Sequence, residues 1–202
     1  MLARRAKRGG ESDSGPTITD LFQRALADLQ TGRLLDAHTA YRQILAIDPV
    51  HADAHHYLGA ALYALGRPAE AEASYREALR LRPNNPEAHN NLSAALCALG
   101  RPAEAEGCCH AALRLRPNYP EAHNNLGAAL LDLERPAEAE ASFRGALRLR
   151  SNFLEAHRGL GAALCALGRP AEAEASFREA LRYRPNYSEA HVGLGDATVA
   201  DQ

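Results

Sequence analysis

The sequence predicts an all-α solenoid built from stacked antiparallel helix pairs. Three observations support this fold class. Nearly identical segments begin at residues 66, 100, 134 and 168, which is a strict repeat without insertions. Aromatic residues make up only 5% of the 202-residue chain, and tryptophan is absent. A core with so few aromatic residues has to be built mainly from alanine and leucine, which favour helices that pack closely.

The repeat divides the chain into units whose positions are counted here from the first residue of each unit. Full units are predicted at 52–85, 86–119, 120–153 and 154–187. A degenerate unit at 17–51 is expected to cap the N-terminal end, and 188–202 is expected to form a C-terminal capping helix and tail. One helix pair cannot bury its own apolar side, whereas stacked pairs can.

Residues 1–16 have a basic start but no apolar segment of the kind found in secretory signals. Their composition predicts a disordered, basic N-terminal tail. A transit peptide is the alternative, and Glu11 and Asp13 count against it.

The first helix of each unit is predicted from the spacing of its apolar residues. In the unit 86–119, positions 4, 7, 8, 11 and 14 fall on one helical face and are occupied by His89, Leu92, Ser93, Leu96 and Leu99. Gly100 at position 15 is expected to end this helix, because glycine readily adopts the left-handed conformation found there.

The second helix is predicted to begin at Pro102, since proline is well tolerated in the first helical turn. Glu104 lies near its start, and Arg114 and Arg116 lie near its end, which suits the helix dipole. Pro117 is expected to stop the helix. These charges recur in the other full units, and we interpret them as stabilising the helices and keeping the protein soluble.

These units resemble the tetratricopeptide repeat (TPR), which has Leu at position 7, Gly at 8, Ala at 20, an aromatic residue at 24, Ala at 27 and Pro at 32. The unit 154–187 matches every one of these positions, with Leu160, Gly161, Ala173, Phe177, Ala180 and Pro185. The resemblance covers about residues 18–200. It implies a right-handed superhelical solenoid.

Several positions depart from the pattern of this family. Cys109 replaces the aromatic residue at position 24, so loose packing is expected there. Glu134 replaces the glycine at position 15 and Ser151 replaces the proline at position 32, so a less sharp turn is expected in that unit. Position 4, which holds a large aromatic residue in the family, is histidine throughout: His55, His89, His123, His157 and His191.

The sequence predicts neither an enzyme nor a cofactor or metal site. It contains no phosphate-binding loop, dinucleotide-binding motif, nucleophile elbow or HExxH motif. The position-4 histidines occur once per unit, so stacking separates them by roughly 10 Å. Metal ligands must instead converge on one ion. We therefore interpret these histidines as structural.

Charge and hydropathy exclude other classes of partner. The chain has 23 basic and 25 acidic residues, a net charge of −2, which provides no general attraction to nucleic acid. It has no apolar run long enough to span a membrane. The four cysteines fit no zinc spacing and are predicted to be reduced, which favours a cytoplasmic location.

In the TPR family the first helices line the concave side, and positions 2, 6, 9 and 13 face the ligand. The resemblance therefore predicts a peptide-binding groove that contains Tyr57, Asn91 and Asn125 at position 6, Glu87, Glu121 and Glu155 at position 2, Asp132 at position 13 and Arg158 at the flanking position 5. Asn90 and Asn124, also at position 5, are expected to be exposed polar residues. The acidic row has a second explanation, since carboxylates in a first helical turn favour the dipole.

The partner is predicted to be a protein or peptide with a neutral or basic extended segment. TPR co-chaperones that capture a C-terminal carboxylate use Lys at position 5 and Asn at position 9. This pattern is missing here, where only Arg158 could serve an anion. Asn91 and Asn125 instead resemble the position-6 asparagines in the TPR arms of O-linked N-acetylglucosamine transferases, whose amides can bind a peptide backbone.

The leading hypothesis is thus a non-catalytic scaffold for protein interaction. The alternative is the substrate-recognition arm of such a transferase, with the catalytic domain absent from this chain. Self-association through the ends of the solenoid is a third possibility. For Asn91 and Asn125 an exposed polar helix face remains the competing interpretation.

Overall fold

The computed structural model describes residues 16–200, and this part of the chain contains eleven α-helices and no β-strand. They pack in consecutive pairs, which confirms the predicted all-α class. None of the described helices is long and apolar enough to cross a membrane. The helices are α1 (Ile18–Gln30), α2 (Leu34–Ile47), α3 (Ala52–Ala64), α4 (Pro68–Leu81), α5 (Pro86–Ala98), α6 (Pro102–Leu115), α7 (Pro120–Asp132), α8 (Pro136–Leu149), α9 (Leu154–Ala166), α10 (Pro170–Tyr183) and α11 (Ser188–Ala200). Most of the predicted tail, 1–15, and residues 201–202 lie outside the described residues.

A tight turn joins the two helices of each pair. In the unit 86–119, Gly100 has φ +69°. Its N–H donates to the Cys97 carbonyl at 2.9 Å, and the N–H of Arg101 donates to the Leu96 carbonyl at 2.9 Å. This is the Schellman arrangement, in which a residue of left-handed conformation satisfies the last carbonyls of the helix. Pro102 is the first residue of α6, as predicted.

The same turn is present where glycine is missing. Glu134 has φ +57°, and its N–H donates to the Leu131 carbonyl at 2.9 Å. The N–H of Arg135 donates to the Leu130 carbonyl, also at 2.9 Å. The prediction of a less sharp turn in this unit was therefore wrong. The hydrogen bonds impose the left-handed conformation on a residue with a side chain, which costs about 1–2 kcal/mol relative to glycine.

The histidines at position 4 form hydrogen bonds that connect each helix pair to the loop preceding it. In every case Nε2 lies within hydrogen-bond distance of the carbonyl at position 32 of the preceding unit, which makes the protonated Nε2 the donor. The distances are 2.9 Å for His55–Pro49, 2.9 Å for His89–Pro83, 3.2 Å for His123–Pro117, 2.7 Å for His157–Ser151 and 2.8 Å for His191–Pro185. Ser151 thus supplies the carbonyl that a proline supplies elsewhere.

Position 24 fills the core between the two helices of a unit. A Cβ atom added to Gly127 would lie 2.8 Å from the ring of Phe143, and one added to Gly59 would lie 2.7 Å from the ring of Tyr75. Glycine at position 8 therefore lets the aromatic ring lie directly against the backbone of the first helix. The ring thus occupies the space that a side chain at position 8 would otherwise fill.

The unit 86–119 fills the same space differently. Cys109 stands at position 24 and is fully buried, and Ser93 replaces the glycine at position 8. The Ser93 hydroxyl donates to the Asn90 carbonyl at 2.6 Å. Ser93 contacts Cys109 and fills part of the space opposite this smaller residue, and loose packing at Cys109 stays a prediction.

Ion pairs also connect neighbouring units. Arg101 contacts Glu104 in its own unit at 2.6 Å and Glu72 in the preceding unit at 2.7 Å. Arg135 contacts Glu138 at 2.7 Å and Glu106 at 2.8 Å in the same way. The charges that were interpreted as stabilising single helices therefore also link one unit to the next.

The backbones of the odd-numbered helices approach one another from unit to unit, whereas those of the described even-numbered helices do not. The described even-numbered helices instead meet through long side chains, as Arg76 of α4 and Glu104 of α6 do at 3.1 Å. The odd-numbered helices are consequently closer together, and they form the inner side of the curve. We call the surface that α3, α5, α7, α9 and α11 form on this side the inner face.

Candidate functional site on the inner face

The predicted groove residues all belong to the odd-numbered helices. Tyr57 lies on α3, Glu87 and Asn91 on α5, Glu121, Asn125 and Asp132 on α7, and Glu155 and Arg158 on α9. Glu155, Asp132 and Arg158 are exposed, and the others are partly buried.

Asparagine amides form hydrogen bonds from one unit to the next. Asn91 Nδ2 lies 3.1 Å from His56 Nε2, which can accept its proton when the imidazole is neutral and protonated at Nδ1. One unit later, Asn125 Nδ2 donates to Asn90 Oδ1 at 3.0 Å. The position-6 amide therefore bonds to position 5 of the preceding unit, where Asn90 is only 6% exposed. The expectation that Asn90 is an exposed polar residue was wrong.

Weaker contacts complete what we call the amide chain: His56, Asn91, Asn90, Asn125 and Asn124. Asn90 Nδ2 lies 3.4 Å from Asn91 Oδ1, and Asn124 Nδ2 lies 3.4 Å from Asn125 Oδ1. Among the described residues Asn124 Oδ1, which is buried, has no hydrogen-bond donor. In the preceding unit the corresponding oxygen, on Asn90, accepts from Asn125. The amide chain thus ends where the next asparagine would be needed.

Gly159 occupies that next place. A Cβ atom added to it would lie 2.3 Å from the ring of Phe143, so no side chain fits there without rearrangement. Gly193 has the same relation to Phe177, at 2.5 Å. The aromatic rings of these two units reach the backbone of the following first helix and fill the space that the amide fills elsewhere.

At the other end of the amide chain lies an aromatic cluster around Tyr57. Its ring stacks on His56 with centroids 5.0 Å apart and on Tyr41 at 6.0 Å, and it meets the ring of Phe22 edge-on at 5.7 Å. Tyr57 is therefore held by α1 and α2, and it borders the inner face where the asparagines begin.

His56 is buried beneath this cluster, and burial lowers its pKa. The carboxylates of Glu87 and Asp53 act in the opposite direction, and the charge of Arg82 lowers the pKa further. The neutral imidazole is the form that can accept a hydrogen bond from Asn91. The amide chain thus begins at a group whose neutral form is favoured by burial.

The acidic row of position 2 is largely paired with arginine at position 31 of the same unit. Asp53 accepts two hydrogen bonds from Arg82, at 2.6 and 3.2 Å. The other two pairs are Glu87 with Arg116 and Glu121 with Arg150. Burial alone would raise the pKa of Glu87, but the hydrogen bond from Arg116 lowers it overall.

This pairing changes the predicted character of the groove. Glu87 and Glu121 were expected to offer free negative charge, but an arginine neutralises each of them. The recurring arginine at position 31 was visible in the sequence, yet it was attributed to the helix dipole alone.

Three predicted charges stand apart from these pairs. Among the described residues Glu155, Asp132 and Arg158 form no ion pair within 4 Å. Hydrogen bonds from its own backbone and from Ser188 lower the pKa of Glu189, and the charge of Arg158 contributes. Arg158 therefore acts on a carboxylate of α11 through its charge, although the two groups form no ion pair.

A cavity of about 340 Å³ opens on the inner face between α3, α5 and α7. Sequence reasoning missed it because two of its lining residues, Tyr63 and Cys97, occupy position 12, which was not assigned to the groove. The cavity is lined by Tyr63, Ala94, Cys97, Ala98, Asn125 and Ala128. Asn125 connects it to the amide chain.

Metal and thiol chemistry find no support in the described residues. No three side chains of His, Cys, Asp or Glu there are grouped so as to hold a metal ion. Burial raises the pKa of Cys97 to about 11 and that of Cys109 to about 12, which disfavours the reactive thiolate. No disulfide joins the cysteines of this part of the chain.

Fold and inner face together define a helical-repeat solenoid with a potential binding surface on its concave side. The chain belongs to the tetratricopeptide repeat family. Family models described as tetratricopeptide repeat match residues 22–86, 62–130 and 118–186.

Several solved structures share this fold. The pilus protein PilW, described as a widely conserved type IV pilus biogenesis factor, is 23% identical, with a TM-score of 0.79 over 93% of this chain and 90% of its own. A thermophilic TPR protein of Thermus thermophilus is 23% identical, with a TM-score of 0.74 over 91% of this chain and 100% of its own. YrrB, described as a TPR protein with an unusual peptide-binding site, is 20% identical, with a TM-score of 0.69 over 88% of this chain and 92% of its own.

No curated protein matches the chain. The similarity to the TPR arms of O-linked N-acetylglucosamine transferases rests on Asn91 and Asn125 alone and stays a prediction.

Proposed function

We propose that this protein is a non-catalytic scaffold that binds an extended peptide segment of a partner protein along its inner face. The observation that carries this proposal is the amide chain. It holds Asn91 and Asn125 in fixed orientations on the inner face, one in each of two successive units. The structural relative YrrB is described as having a peptide-binding site, which supports the proposal by analogy of fold.

Both asparagines keep hydrogen-bonding capacity for a ligand. An asparagine amide has two N–H donors and an oxygen with two lone pairs. Asn91 uses one donor on His56, and its oxygen receives only the 3.4 Å contact from Asn90. Asn91 therefore retains a donor and an acceptor, the pair of groups that a peptide backbone presents. Asn125 Nδ2 contacts both the Oδ1 and the backbone carbonyl of Asn90, at 3.0 and 3.4 Å, so the Asn125 oxygen is the group left for a ligand. Fixing the amide in advance reduces the entropy lost when a ligand binds.

The segment is expected to be neutral or basic. Since arginines neutralise Glu87 and Glu121, the attraction for basic residues has to come mainly from Asp132 and Glu155. Ion pairs at such exposed sites contribute only about 0–1 kcal/mol each, so salt should weaken binding modestly. No observation favours the transferase arm over a scaffold, and the scaffold is therefore the function we propose.

Two further expectations concern the setting of this function. The cytoplasm remains the expected location. Self-association through the ends of the solenoid remains a prediction, and sedimentation across a range of protein concentrations would test it.

Binding by the amides can be separated from their role in the fold. Asn125→Ala removes the inner-face amide and its hydrogen bond to Asn90. Asn90→Ala removes the same hydrogen bond from the buried side and leaves the amide of Asn125 in place. Both variants should lose about 0.5–1.5 kcal/mol of stability.

A library of random 12-residue peptides provides the probe for this comparison. Peptides selected on the wild-type protein should bind Asn125→Ala about tenfold more weakly, as expected for loss of one to two hydrogen bonds of the peptide backbone. They should bind Asn90→Ala more tightly than Asn125→Ala, because Asn90→Ala keeps the amide that contacts the peptide and loses only its fixed orientation. Equal affinity of both variants would show that the amide does not contact the peptide, and a library that yields no binder would reject peptide binding itself.

A further inference from the structure

Asp132 occupies an unusual place for a carboxylate. It is the last residue of α7, where the helix dipole disfavours negative charge. The equivalent residues of α3, α5 and α9 are Ala64, Ala98 and Ala166. Among the described residues no cation lies within ion-pair distance of Asp132, whereas arginines neutralise Glu87 and Glu121. The fold thus provides no stabilising partner for this charge.

Asp132 lies one helical turn beyond the cavity of the inner face. Asn125 and Ala128 line that cavity from α7, and Asp132 follows Ala128 by four residues, on the same side of the helix. Across the cavity lies Cys97 of α5. Burial raises the pKa of Cys97, and the charge of Asp132 raises it further.

The other walls of the cavity are mainly apolar. Ala94, Ala98 and Ala128 contribute methyl groups, and Tyr63 contributes a ring that is 41% exposed to solvent. Its volume of about 340 Å³ is near the lower end for ligand pockets, which suits one side chain better than a larger molecule. An apolar wall with an unpaired carboxylate one helical turn away is complementary to a long basic side chain, whose stem is apolar and whose head is charged.

We propose that this cavity and Asp132 form a subsite for a lysine or arginine side chain of the bound segment. The methylene stem would lie against Tyr63 and the alanine methyls, and the cationic head would pair with the Asp132 carboxylate. Asn125, at the other side of the cavity, would bind the adjacent backbone. This inference rests on the proposed function, since it specifies one residue of the peptide that the inner face binds.

Small amino-acid derivatives can test the subsite without a known partner. Nα-acetyl-lysine methylamide and Nα-acetyl-norleucine methylamide share the stem and differ in the charged head. Protein with ¹³C-labelled alanine methyls reports binding by NMR. The methyls of Ala94, Ala98 and Ala128 should shift on titration, whereas that of Ala162, at the equivalent position on α9, should not.

The lysine derivative should bind about two- to fivefold more tightly than the norleucine derivative, as expected for one exposed ion pair. Asp132→Asn should abolish this preference and leave the affinity for norleucine unchanged. Glu134→Gln, which removes a carboxylate two residues away, should keep the preference. Ala98→Leu should weaken the binding of both derivatives because it fills the cavity.

Three results would overturn the subsite: equal affinity for both derivatives, a preference that survives Asp132→Asn, or no shift of the three cavity methyls up to the solubility limit. None of them depends on the peptide library. A library peptide that distinguishes Asn125→Ala from Asn90→Ala would then still support the proposed function, so the two failures can be told apart.

Discussion

The two halves of the inner face are built on the same repeat but have opposite surfaces. In the half formed by α3, α5 and α7, polar side chains are connected by the amide chain from His56 to Asn124. In the half formed by α9 and α11, position 6 is glycine, and the rings of Phe143 and Phe177 lie against it. The rings of Phe143 and Phe177 leave no room for a side chain at position 6 of the next unit, whereas the ring of Tyr75 at the same position 24 is compatible with Asn91.

The consequence for function is that binding capacity is unevenly distributed. The polar half offers amides, a cavity and the unpaired Asp132, whereas the glycine half is closed by aromatic rings. A ligand that requires backbone hydrogen bonds should therefore bind over α5 and α7.

The ring of Phe143 should contribute most to the glycine half. It is 2% exposed and packs against both Gly127 and Gly159. Phe143→Ala should lower the free energy of unfolding by about 3–5 kcal/mol, because it removes a buried ring and leaves a cavity. Leu149→Ala, on the same helix but at a site that is 41% exposed, is the control and should cost less than about 1 kcal/mol. Denaturant titration measures both, and equal losses would contradict the packing assigned to Phe143.

Extending the amide chain into the glycine half should fail. Gly159→Asn would provide a donor for Asn124 Oδ1, but its Cβ would overlap the ring of Phe143. We expect a loss of about 1–3 kcal/mol, typical of an overpacked core. Gly107→Ala, on α6, is the matched control, since a Cβ there meets no atom within 4 Å. That variant should gain about 0.5–1 kcal/mol. A stabilised Gly159→Asn protein would show that the ring does not close this half.

The turn at Glu134 lies between the two halves and is strained by its side chain. Glu134→Gly should stabilise the protein by about 1 kcal/mol, because glycine adopts the left-handed conformation without the steric cost. Gly100→Ala, at the same position of the preceding unit, should destabilise it by a similar amount. Thermal melts measure both changes, and an unchanged melt for Glu134→Gly would mean that the turn stores no strain.

The polar half should also depend on pH through His56. Burial lowers the pKa of His56, so the unfolded chain, with a pKa of about 6.5, takes up the proton first as the pH falls. The stability that neutral His56 contributes is therefore present above the unfolded pKa and is lost as the pH falls towards the folded one. This one group can lower the free energy of unfolding by at most about 1.4 kcal/mol per pH unit.

His56→Asn is the control for this dependence, because its amide can still accept from Asn91 but does not titrate. Denaturation at about pH 7.5 and about pH 5.5 should show a larger loss of unfolding free energy for the wild type than for the variant. The difference should be at most about 1.4 kcal/mol. The NMR titration of the His56 ring should give a midpoint below its ordinary value. A midpoint at or above that value would contradict the account.

The repeat period predicted the helix pairs, the left-handed glycine of the turns and the side of the helices that forms the core. It did not reveal contacts that cross from one helix to another. Arg116 reaches Glu87 over 29 residues, and Asn125 reaches Asn90 over 35 residues. The repeat period shows which residues recur. Whether two side chains from different units can touch depends on the distance between their helices, which is known only from the structure.

The expectations for Cys109 and Glu134, which depart from the family pattern, also left out contacts with neighbouring residues. The expectation of loose packing at Cys109 considered this residue alone, whereas the buried Ser93 on the facing helix shares the same space. Glu134 was expected to change the turn because its own conformational preference was considered, while the hydrogen bonds of its neighbours impose the geometry.

A double-mutant cycle between positions 143 and 159 tests the central claim most directly. The background Phe143→Cys with Gly127→Ser copies the arrangement of Cys109 and Ser93 into the next unit. The loss caused by Gly159→Asn should fall by more than about 1 kcal/mol in this background, because the ring no longer occupies the place of the amide. The same loss in both backgrounds, within about 0.5 kcal/mol, would contradict the claim that the aromatic ring ends the amide chain.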